Sequence, residues 1–558
     1  MRYAELSNLY DQLGKTTKRL EKTEIIANFL EETKQEDLEE VICLLNGRVF
    51  PLWDNRKIGF SDRLLIKAIS SATGSSLDKI ESGLNKLGDL GDVTALEVGT
   101  KSQKTLFSET LTVKKVIDNI RKLAVMEGSG SVDRKIGLVA ELITNASKEE
   151  SRYISRTVLE VLRVGIADGI IKDAIAQAFD QETKDVDEAF DILADHGEVA
   201  LLAKENKLGD IKLKPGRPLK LMLAVLSKTV EDGFTAVGSP AALEFKYDGF
   251  RMQIHNDGTE IKLFTRGMED VTKQFPDVVE IAKNNIKSKN YIIDCEAVGY
   301  DPKTGKYLPF QKISQRIRRK YNTEEMAKQF PVEINSFDVI YCNGKKLLNT
   351  SFDERRKILD KIVKSESKKI VLSELIITDK VNEVQKFFKK AITAGHEGLI
   401  FKSLEAPYKP GRYVGYMAKL KEVMDALDLV IVKAEWGEGK RASWLTSYTV
   451  ACQKDGEFLE VGKVSTGLKE KFEEGELNNF ENMTKELKKI TTSHKGKIVN
   501  VKPQIIVEVS YEEIQKSPTY NSGYALRFPR ILQIRYDKPL NEIADIKSIE
   551  ELYKSQNK

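Results

Sequence analysis

Residues 244–251 read Glu-Phe-Lys-Tyr-Asp-Gly-Phe-Arg and decide the fold more than any other stretch of the chain. The apolar run that ends at Lys246 predicts a strand, the Asp-Gly pair predicts a tight turn, and Arg251 begins the next strand. Strand alternation places Glu244 and Lys246 on one face. The segment therefore predicts an amine at the edge of a sheet, between a carboxylate and a guanidinium.

The chemistry open to Lys246 is nucleophilic attack, provided that the amine loses its proton. Because the ordinary pKa of a lysine side chain is about 10.4, roughly one lysine in a few thousand is neutral at about pH 7. Burial and nearby cations such as Arg251 favour the neutral form. An exposed lysine in an ordinary hairpin is the alternative interpretation, and partners elsewhere in the sequence must decide between the two.

Two carboxylates are candidates for those partners. Glu296 lies in the apolar stretch Ile-Ile-Asp-Cys-Glu-Ala-Val, where a carboxylate is costly unless it is paired. It is either a ligand for ribose or Mg²⁺ or the partner of a core basic residue. Glu397 precedes the apolar strand Gly-Leu-Ile-Phe, and it is either a second metal ligand or a solvent-facing strand end.

Three lysines and one aromatic residue extend the set of candidates. Lys402 ends the strand that follows Glu397 and is either a phosphate ligand or a solvated charge. Lys419 and Lys421 share one strand face, so they either hold the phosphates of a nucleotide or form a solvated pair. Phe337 begins an apolar strand and either stacks on a base or packs in a core.

The composition sets broad limits on the class of protein. The 558 residues predict three or four domains, and the 41% hydrophobic content predicts folded cores. A net charge of +4 neither requires nor excludes a nucleic-acid partner, because binding depends on where the charge lies. The four cysteines are widely spaced, which predicts neither a zinc site nor disulfides and fits a reducing cytoplasm. The sequence has no apolar run of about 18 residues, so no membrane span is expected.

The pattern of apolar residues changes twice along the chain. Up to about residue 210 they recur at helical spacing, and residues 204–220 form a basic stretch with Pro and Gly that is typical of a linker. From about residue 240 short strands alternate with helices, which is an α+β pattern. Beyond Lys421 the strands are rich in β-branched residues and predict a small β-barrel.

The order of these segments resembles that of the ATP-dependent DNA ligases, within the lysine nucleotidyltransferase superfamily. The resemblance is carried by KYDGFR, TRGMEDVT, IIDCEAV, FDVIY, EGLIFK, KLK and RFPR in that order. It is greatest to the archaeal replicative type, which is similar to the eukaryotic nuclear enzyme. GDLGDV, GSGSVDRKIGLVAELI and VLRVGIADG resemble the family's N-terminal DNA-binding domain, and WGEGKRASWL, KVSTG and SPTYNSGYALRFPR resemble its C-terminal domain.

This resemblance implies a multidomain fold. An all-α DNA-binding domain is expected over residues 1–212, an α+β nucleotidyltransferase (adenylation) domain over 213–418, and an OB-fold β-barrel over 419–558. The expected activity is the sealing of nicks in duplex DNA through enzyme-lysyl-AMP and DNA-adenylate intermediates, in replication, recombination and repair. ATP and Mg²⁺ are the expected cofactors. A monomer is expected, with nicked DNA and a sliding clamp as partners, and QKTLF at 103–107 is either a candidate for clamp docking or a surface turn.

The resemblance also assigns roles to residues, and Lys246 is the adenylated one. The family usually has a basic-Arg pair shortly after Pro-Gly, whereas Arg412 and Tyr413 follow Pro-Gly here, so Arg412 is assigned to the nucleotide with a displacement of one position. Further roles are nucleotide contact for Glu244, Arg251 and Arg266, ribose and metal binding for Glu296 and Glu397, adenine stacking for Phe337, triphosphate binding for Lys402, Lys419 and Lys421, and pyrophosphate expulsion for Arg527, Arg530, Arg535 and Lys538.

Four other classes share part of this pattern. An RNA ligase or an mRNA capping guanylyltransferase has the lysine motif, but a capping enzyme needs no helical DNA-binding domain, so residues 88–169 argue against it. An NAD⁺-dependent ligase is disfavoured because no Cys-rich zinc module follows the barrel region. A nucleic-acid-binding scaffold without chemistry is disfavoured because the candidate catalytic residues are all present.

Overall fold

The structure is a computed structural model that describes residues 1–100, 109–308, 310–317, 319, 321–411, 415–421, 426–438, 441–470 and 478–556. The predicted nucleotide contact Arg412 and the clamp-docking candidate at 103–107 lie outside the described residues. The chain divides into two compact units, Met1–Lys421 and Glu422–Lys558, and each is described by itself.

The N-terminal part of the first unit is helical, as predicted. In α7 the residues Val113, Val116, Ile117 and Ile120 recur at steps of three and four, and all are fully buried in the helical core. The helical spacing predicted up to about residue 210 is interrupted between residues 159 and 167, where residues with positive φ angles follow the end of the helix Lys148–Val158. The helices are α1 (Tyr3–Gly14), α2 (Arg19–Glu32), α3 (Gln35–Leu45), α4 (Asp62–Thr73), α5 (Leu77–Leu87), α6 (Leu90–Gly99), α7 (Val113–Leu123), α8 (Ser131–Asn145), α9 (Lys148–Val158), α10 (Asp168–Ala178), α11 (Thr183–Leu193) and α12 (His196–Lys204).

The central part of the first unit contains two sheets flanked by helices. One sheet has five strands in the order β1-β11-β10-β2-β9, and the other has six, in the order β4-β3-β5-β6-β7 with β8 beside β6. The elements are β1 (Val225–Ser227), α13 (Val230–Val237), β2 (Ala241–Lys246), β3 (Phe250–Asp257), β4 (Ile261–Thr265), α14 (Pro276–Asn285), β5 (Asn290–Gly299), α15 (Phe310–Ile317), α16 (Thr323–Gln329), β6 (Val332–Cys342), β7 (Lys345–Lys346), α17 (Phe352–Ile362), β8 (Ile370–Leu372), β9 (Leu375–Thr378), α18 (Val381–Thr393), β10 (Gly398–Ser403) and β11 (Met417–Lys421).

The segment that contains Lys246 joins these two sheets. Strand β2 pairs with β10 and β9, whereas β3 pairs with β4 and β5, so the two strands on either side of the turn do not pair with each other. The alternative of an ordinary hairpin is therefore wrong. The predicted position of Lys246 at a sheet edge is also wrong, because β2 lies inside the five-stranded sheet with a neighbour on each side.

The second unit is rich in strands, as predicted for the C-terminal region. Its main sheet runs β14-β13-β12-β16-β15, and β17 pairs with both β12 and β20 around an apolar core, which fits an OB-fold barrel. The elements are β12 (Leu427–Trp436), β13 (Leu445–Lys454), β14 (Glu457–Val464), α19 (Phe480–Lys489), β15 (Thr491–Lys495), β16 (Ile498–Val501), β17 (Ile506–Ser510), β18 (Glu513–Lys516), β19 (Tyr524–Arg527), β20 (Arg530–Ile534) and α20 (Ile546–Gln556).

One strand crosses a predicted domain boundary. The predicted adenylation domain ends at residue 418, but β11 continues from Met417 to Lys421 and pairs along its length with β10. Its residues Lys419 and Lys421 thus belong to the five-stranded sheet. We propose that the adenylation domain extends to Lys421, where the first compact unit ends.

Candidate active site

The five-stranded sheet has one apolar and one polar face. Leu243, Phe245, Leu399 and Phe401 point to the apolar face and are buried in a core with α13 and α18. Position 246 on β2 pairs with 398 on β10, which in turn pairs with 421 on β11. In the same way, position 244 pairs with 400, and 400 pairs with 419. Because side chains alternate along a strand, five predicted site residues share the opposite face. They are Glu244, Lys246, Lys402, Lys419 and Lys421.

Lys246 lies at one end of this polar face beside a carboxylate. Its Nζ is 2.7 Å from Oε2 of Glu397, and Nζ of Lys421 is 2.9 Å from the same oxygen. The backbone N–H of Glu397 also donates to the carbonyl oxygen of Lys246, at 2.8 Å. Burial raises the pKa of Glu397, but attraction to the two lysines outweighs burial and the net pKa is lowered. An ionised carboxylate thus joins the candidate nucleophile to Lys421.

Glu296 approaches the same place from the six-stranded sheet. It pairs with Arg251 across β5 and β3, so both side chains lie on one face. Burial raises the pKa of Glu296 to about 8, while the charges of Lys246 and Arg251 oppose that rise and Glu397 adds to it. A Cβ atom at Gly249 would lie 3.0 Å from Cγ of Glu296, so the turn after Lys246 packs directly on this residue. The structure thus brings Lys246, Glu296 and Glu397 together.

Arg251 is held by a carboxylate that the sequence reasoning missed. Its Nε and Nη2 donate to the two oxygens of Asp294 at 3.0 and 2.6 Å, and Tyr408 donates its hydroxyl to Asp294 at 2.8 Å. Asp294 is fully buried. Asp294 is therefore the hydrogen-bonding partner of Arg251, while Glu296 lies close enough to Lys246 and Arg251 for their charges to act on it, and its role in binding ribose or metal stays a prediction. A second carboxylate two residues before Glu296, on the same strand face, was the available signal.

Phe337 stands out of the regular strand pairing. On β6, Ser336 pairs with position 295 and Asp338 with position 294, so Phe337 is the extra residue of a bulge. Bulges commonly redirect a side chain next to an active site. Phe337 is only partly buried, and its ring lies 4.6 Å from Nζ of Lys402 and 5.5 Å from Cζ of Arg251. This placement favours an exposed stacking surface over core packing.

Glu244 and Lys402 form a buried pair beneath that ring. Oε2 of Glu244 is 2.5 Å from Nζ of Lys402, and Oε1 is 2.9 Å from Nη1 of Arg356. Burial raises the pKa of Glu244, against the opposing charges of the two cations. Arg356 had no signal in the sequence pattern, because a charged residue on a helix ordinarily faces solvent. Glu244 is thus positioned to hold Lys402 in place.

Other predicted residues lie apart from this cluster or in the second unit. Arg266 is exposed on the turn after β4. In the second unit, Arg535 and Lys538 pair with Asp428 at 3.2 and 2.5 Å, and Arg527 pairs with Glu513 at 3.2 Å. Arg530, the first residue of β20, is exposed.

Two glycines of the helical region, Gly88 and Gly130, lie at helix termini. Gly88 ends α5 with a φ of 71° and donates its N–H to the carbonyl of Leu84. Gly130 precedes α8, also with a φ of 71°. Asp89, next to Gly88, caps α6 by accepting from the N–H of Asp92. These glycines therefore shape the junctions between helices.

The donor set of the site suits a hard divalent cation that keeps part of its hydration. No group of three or more His, Cys, Asp or Glu within the described ranges could hold a metal on its own. Mg²⁺ is usually bound through one or two carboxylates together with substrate phosphates and water. Glu296 and Glu397, both close to Lys246, provide two such carboxylates.

The four cysteines are buried free thiols, and no helix among the described residues is long and apolar enough to cross a membrane.

Comparison with known proteins covers almost the whole chain. Family models described as "DNA ligase N terminus", "ATP dependent DNA ligase domain" and "ATP dependent DNA ligase C terminal region" match residues 2–176, 221–421 and 441–538. A DNA ligase of Nanoarchaeum equitans is 48% identical, and one of Thermococcus onnurineus 43%, each over 100% of this chain and 99% of the relative. A solved structure named Pmar-Lig_PreS3 shares the fold, with a TM-score of 0.56 and 17% identity over 95% of this chain and 99% of that chain. The chain therefore belongs to the family of archaeal ATP-dependent DNA ligases.

Proposed function

We propose that this ligase seals nicks through an AMP group carried on Nζ of Lys246. One observation carries the proposal. Lys246 is the only lysine of the KYDGFR segment, and its amine lies beside Glu397 at the end of a polar sheet face that also bears Lys402, Lys419 and Lys421. A nucleophile next to carboxylates and several cations is the arrangement that phosphoryl transfer from a nucleotide requires.

The reaction proceeds in three transfers. The neutral amine of Lys246 attacks the α-phosphorus of ATP, so that a nitrogen–phosphorus bond forms and pyrophosphate leaves. A 5′-phosphate oxygen at the nick then attacks the same phosphorus and releases the lysine, which gives a DNA-adenylate. The 3′-hydroxyl finally attacks the 5′-phosphorus, a phosphodiester forms and AMP leaves. Charge neutralisation and positioning supply most of the rate in such transfers.

Glu296 and Glu397 are proposed as the residues that hold Mg²⁺. When bound, the ion neutralises phosphate charge. Glu397 has a second task, because its carboxylate pairs with Lys246 in the absence of substrate. An ammonium has no lone pair for attack, so Lys246 must lose its proton and its ion pair with Glu397 must separate before the first transfer.

The remaining site residues are proposed to bind ATP. Phe337 stacks on the adenine, Arg251 and Arg266 contact the nucleotide, and Glu244 acts mainly by positioning Lys402. The triphosphate is held by Lys402, Lys419 and Lys421. The C-terminal cations Arg527, Arg530, Arg535 and Lys538 help to expel pyrophosphate, and the assignment of Arg412 remains a prediction outside the described residues.

Adenylation of the purified protein tests the proposal directly. Incubation with labelled ATP, GTP or NAD⁺ should give a labelled protein band with ATP, and a nicked duplex added afterwards should become sealed as the label is released as AMP. The label should map to Lys246 by mass spectrometry of peptides. A label on any other residue would refute the assignment, even if nicks were sealed.

Phe337 provides a prediction on nucleotide affinity. A base stacked on an aromatic ring gains about 1–3 kcal/mol, so Phe337→Ala should raise the KM for ATP roughly tenfold or more. Phe337→Tyr keeps the ring and serves as the matched control, with a KM close to that of the parent. The ATP dependence of enzyme-AMP formation measures both. An unchanged KM in the alanine variant would show that the base lies elsewhere.

DNA binding is proposed to depend on phosphate contacts, with little reading of bases. Affinity for a nicked duplex should then fall roughly 10³-fold between about 50 and about 200 mM salt, because each neutralised phosphate releases counterions. Fluorescence anisotropy with nicks in several flanking sequences measures both quantities. Weak salt dependence, or a strong preference for one flanking sequence, would contradict this mode of binding.

Other expectations from the family resemblance remain predictions. They are a monomeric state, a cytoplasmic location, recruitment by a sliding clamp, and roles in replication, recombination and repair. Ultracentrifugation of the purified chain tests the first of them, and a binding measurement with and without residues 103–107 tests the clamp.

A further inference from the structure

Two consecutive arginines of α17 donate hydrogen bonds to residues of two different sheets. Arg355 donates to both carboxylate oxygens of Asp338 on β6, at 2.7 and 3.0 Å. Arg356 donates to Glu244 on β2 at 2.9 Å and to the carbonyl oxygen of Ser373 at 2.9 Å. The side chain of Arg355 is 1% exposed and that of Arg356 11%. One helix therefore connects the two sheets that carry the candidate site residues.

Glu244 divides its single negative charge between two cations. Lys402 and Arg356 lie on opposite oxygens of its carboxylate, and all three side chains are largely buried. Lys402 is also enclosed by two rings, with Nζ 4.6 Å from the centroid of Phe337 and 4.6 Å from that of Phe352. Charge-assisted bonds strengthen as the surroundings become less polar. The position of Lys402 therefore depends on how strongly Glu244 attracts it.

We propose that Arg356 is a positioning residue for the reaction with ATP and acts through Glu244 on Lys402. Arg356 engages one oxygen of Glu244 and so weakens the hold of Glu244 on Lys402. Lys402 can then turn its charge towards an incoming phosphate. Without Arg356, the full charge of Glu244 stays with Lys402, and ATP must compete with it. The inference rests on the proposed role of Lys402 beside the triphosphate.

The test measures enzyme-AMP formation over a range of ATP concentrations. Arg356→Gln should raise the KM for ATP about tenfold, which is typical for loss of a hydrogen bond to a charged group. Arg356→Lys keeps a cation beside Glu244 and should recover most of the loss. Lys357→Gln is the matched control, since Lys357 is the next residue of α17 and its exposed side chain pairs with Asp353 instead of with Glu244. Its KM should equal that of the parent.

A double variant separates this path from a general loss of stability. If Arg356 acts through Lys402, Arg356→Gln should have almost no further effect on KM in a Lys402→Met background. A full additional effect there, or an unchanged KM in Arg356→Gln, would overturn the inference, and so would a loss of rate that only follows the folded fraction in thermal unfolding.

The same set of variants distinguishes failure of the inference from failure of the proposed function. If Lys402→Met raises KM and Arg356→Gln does not, only the inference fails. If Lys402→Met leaves KM unchanged, the proposed role of Lys402 fails together with the path through it. Labelling of the parent protein at Lys246 by ATP is independent of both results.

Discussion

Lys246→Arg and Lys246→Ala should both lose formation of enzyme-AMP, by at least roughly 10³-fold, because removal of a covalent nucleophile abolishes the intermediate. The arginine variant is the sharper of the two. A guanidinium keeps the positive charge beside Glu397, but it stays protonated at all accessible pH values and cannot attack phosphorus. If both variants lose formation of enzyme-AMP, the reaction requires a neutral amine at position 246, and a positive charge there is not sufficient.

A substrate that already carries AMP provides the control for this prediction. A nicked duplex with a 5′-adenylate needs only the final transfer, in which the 3′-hydroxyl attacks and Lys246 forms no bond. Both variants should still close such a nick, which demonstrates an intact fold and intact DNA binding. The assignment of Lys246 would be overturned by enzyme-AMP in either variant at a rate near that of the parent.

Gly249→Ala should slow enzyme-AMP formation by about 10²-fold, which is the effect expected from misplacing a reacting group by about 1 Å. An added Cβ would lie 2.5 Å from the carbonyl oxygen of Ala297, in the interior of the six-stranded sheet. That backbone is held by its neighbours on both sides, so the turn must move instead. Because the turn follows Lys246 directly, the amine moves with it relative to Glu296.

Gly209→Ala is the matched control for the glycine prediction. Nothing lies within 4 Å of a Cβ atom at position 209, and neither Gly209 nor Gly249 has a positive φ. The two substitutions therefore differ in steric contact alone. Single-turnover adenylation at saturating ATP compares them, with thermal unfolding to confirm that both variants fold. A parental rate for Gly249→Ala would mean that the packing of the turn does not set the position of Lys246.

Local features of the fold could be predicted from the sequence, and long-range pairing could not. The apolar stretch that contains Glu296 lies in β5 at 290–299, because a run of apolar residues is a pattern within the strand itself. Which strands pair depends on contacts between distant segments, such as β2 with β10, about 150 residues later. An Asp-Gly turn is typical of hairpins. Nothing near Lys246 in the sequence therefore indicated that β2 and β3 belong to different sheets.

The candidate site was predictable where a charged residue interrupts an apolar pattern. Glu296 was found in this way and Lys402 because it ends an apolar strand, and the structure places Glu296 near Lys246 and Lys402 on the same sheet face as Lys246. Arg356 was missed because charged residues on a helix are usually solvated. Asp294 was missed because Glu296 alone was considered as the buried charge of that strand. The nucleotide contact of Glu244 stays a prediction. Only the structure shows that its carboxylate is buried between two cations.

The ion pair between Lys246 and Glu397 has a consequence for the idle enzyme. A lysine amine with a free lone pair is a target for every electrophile in a cell, including cyanate, aldehydes and acyl phosphates. The carboxylate of Glu397 lies 2.7 Å from this amine, so an electrophile must displace it to reach the nitrogen. The ion pair is therefore expected to protect the nucleophile from side reactions between encounters with ATP.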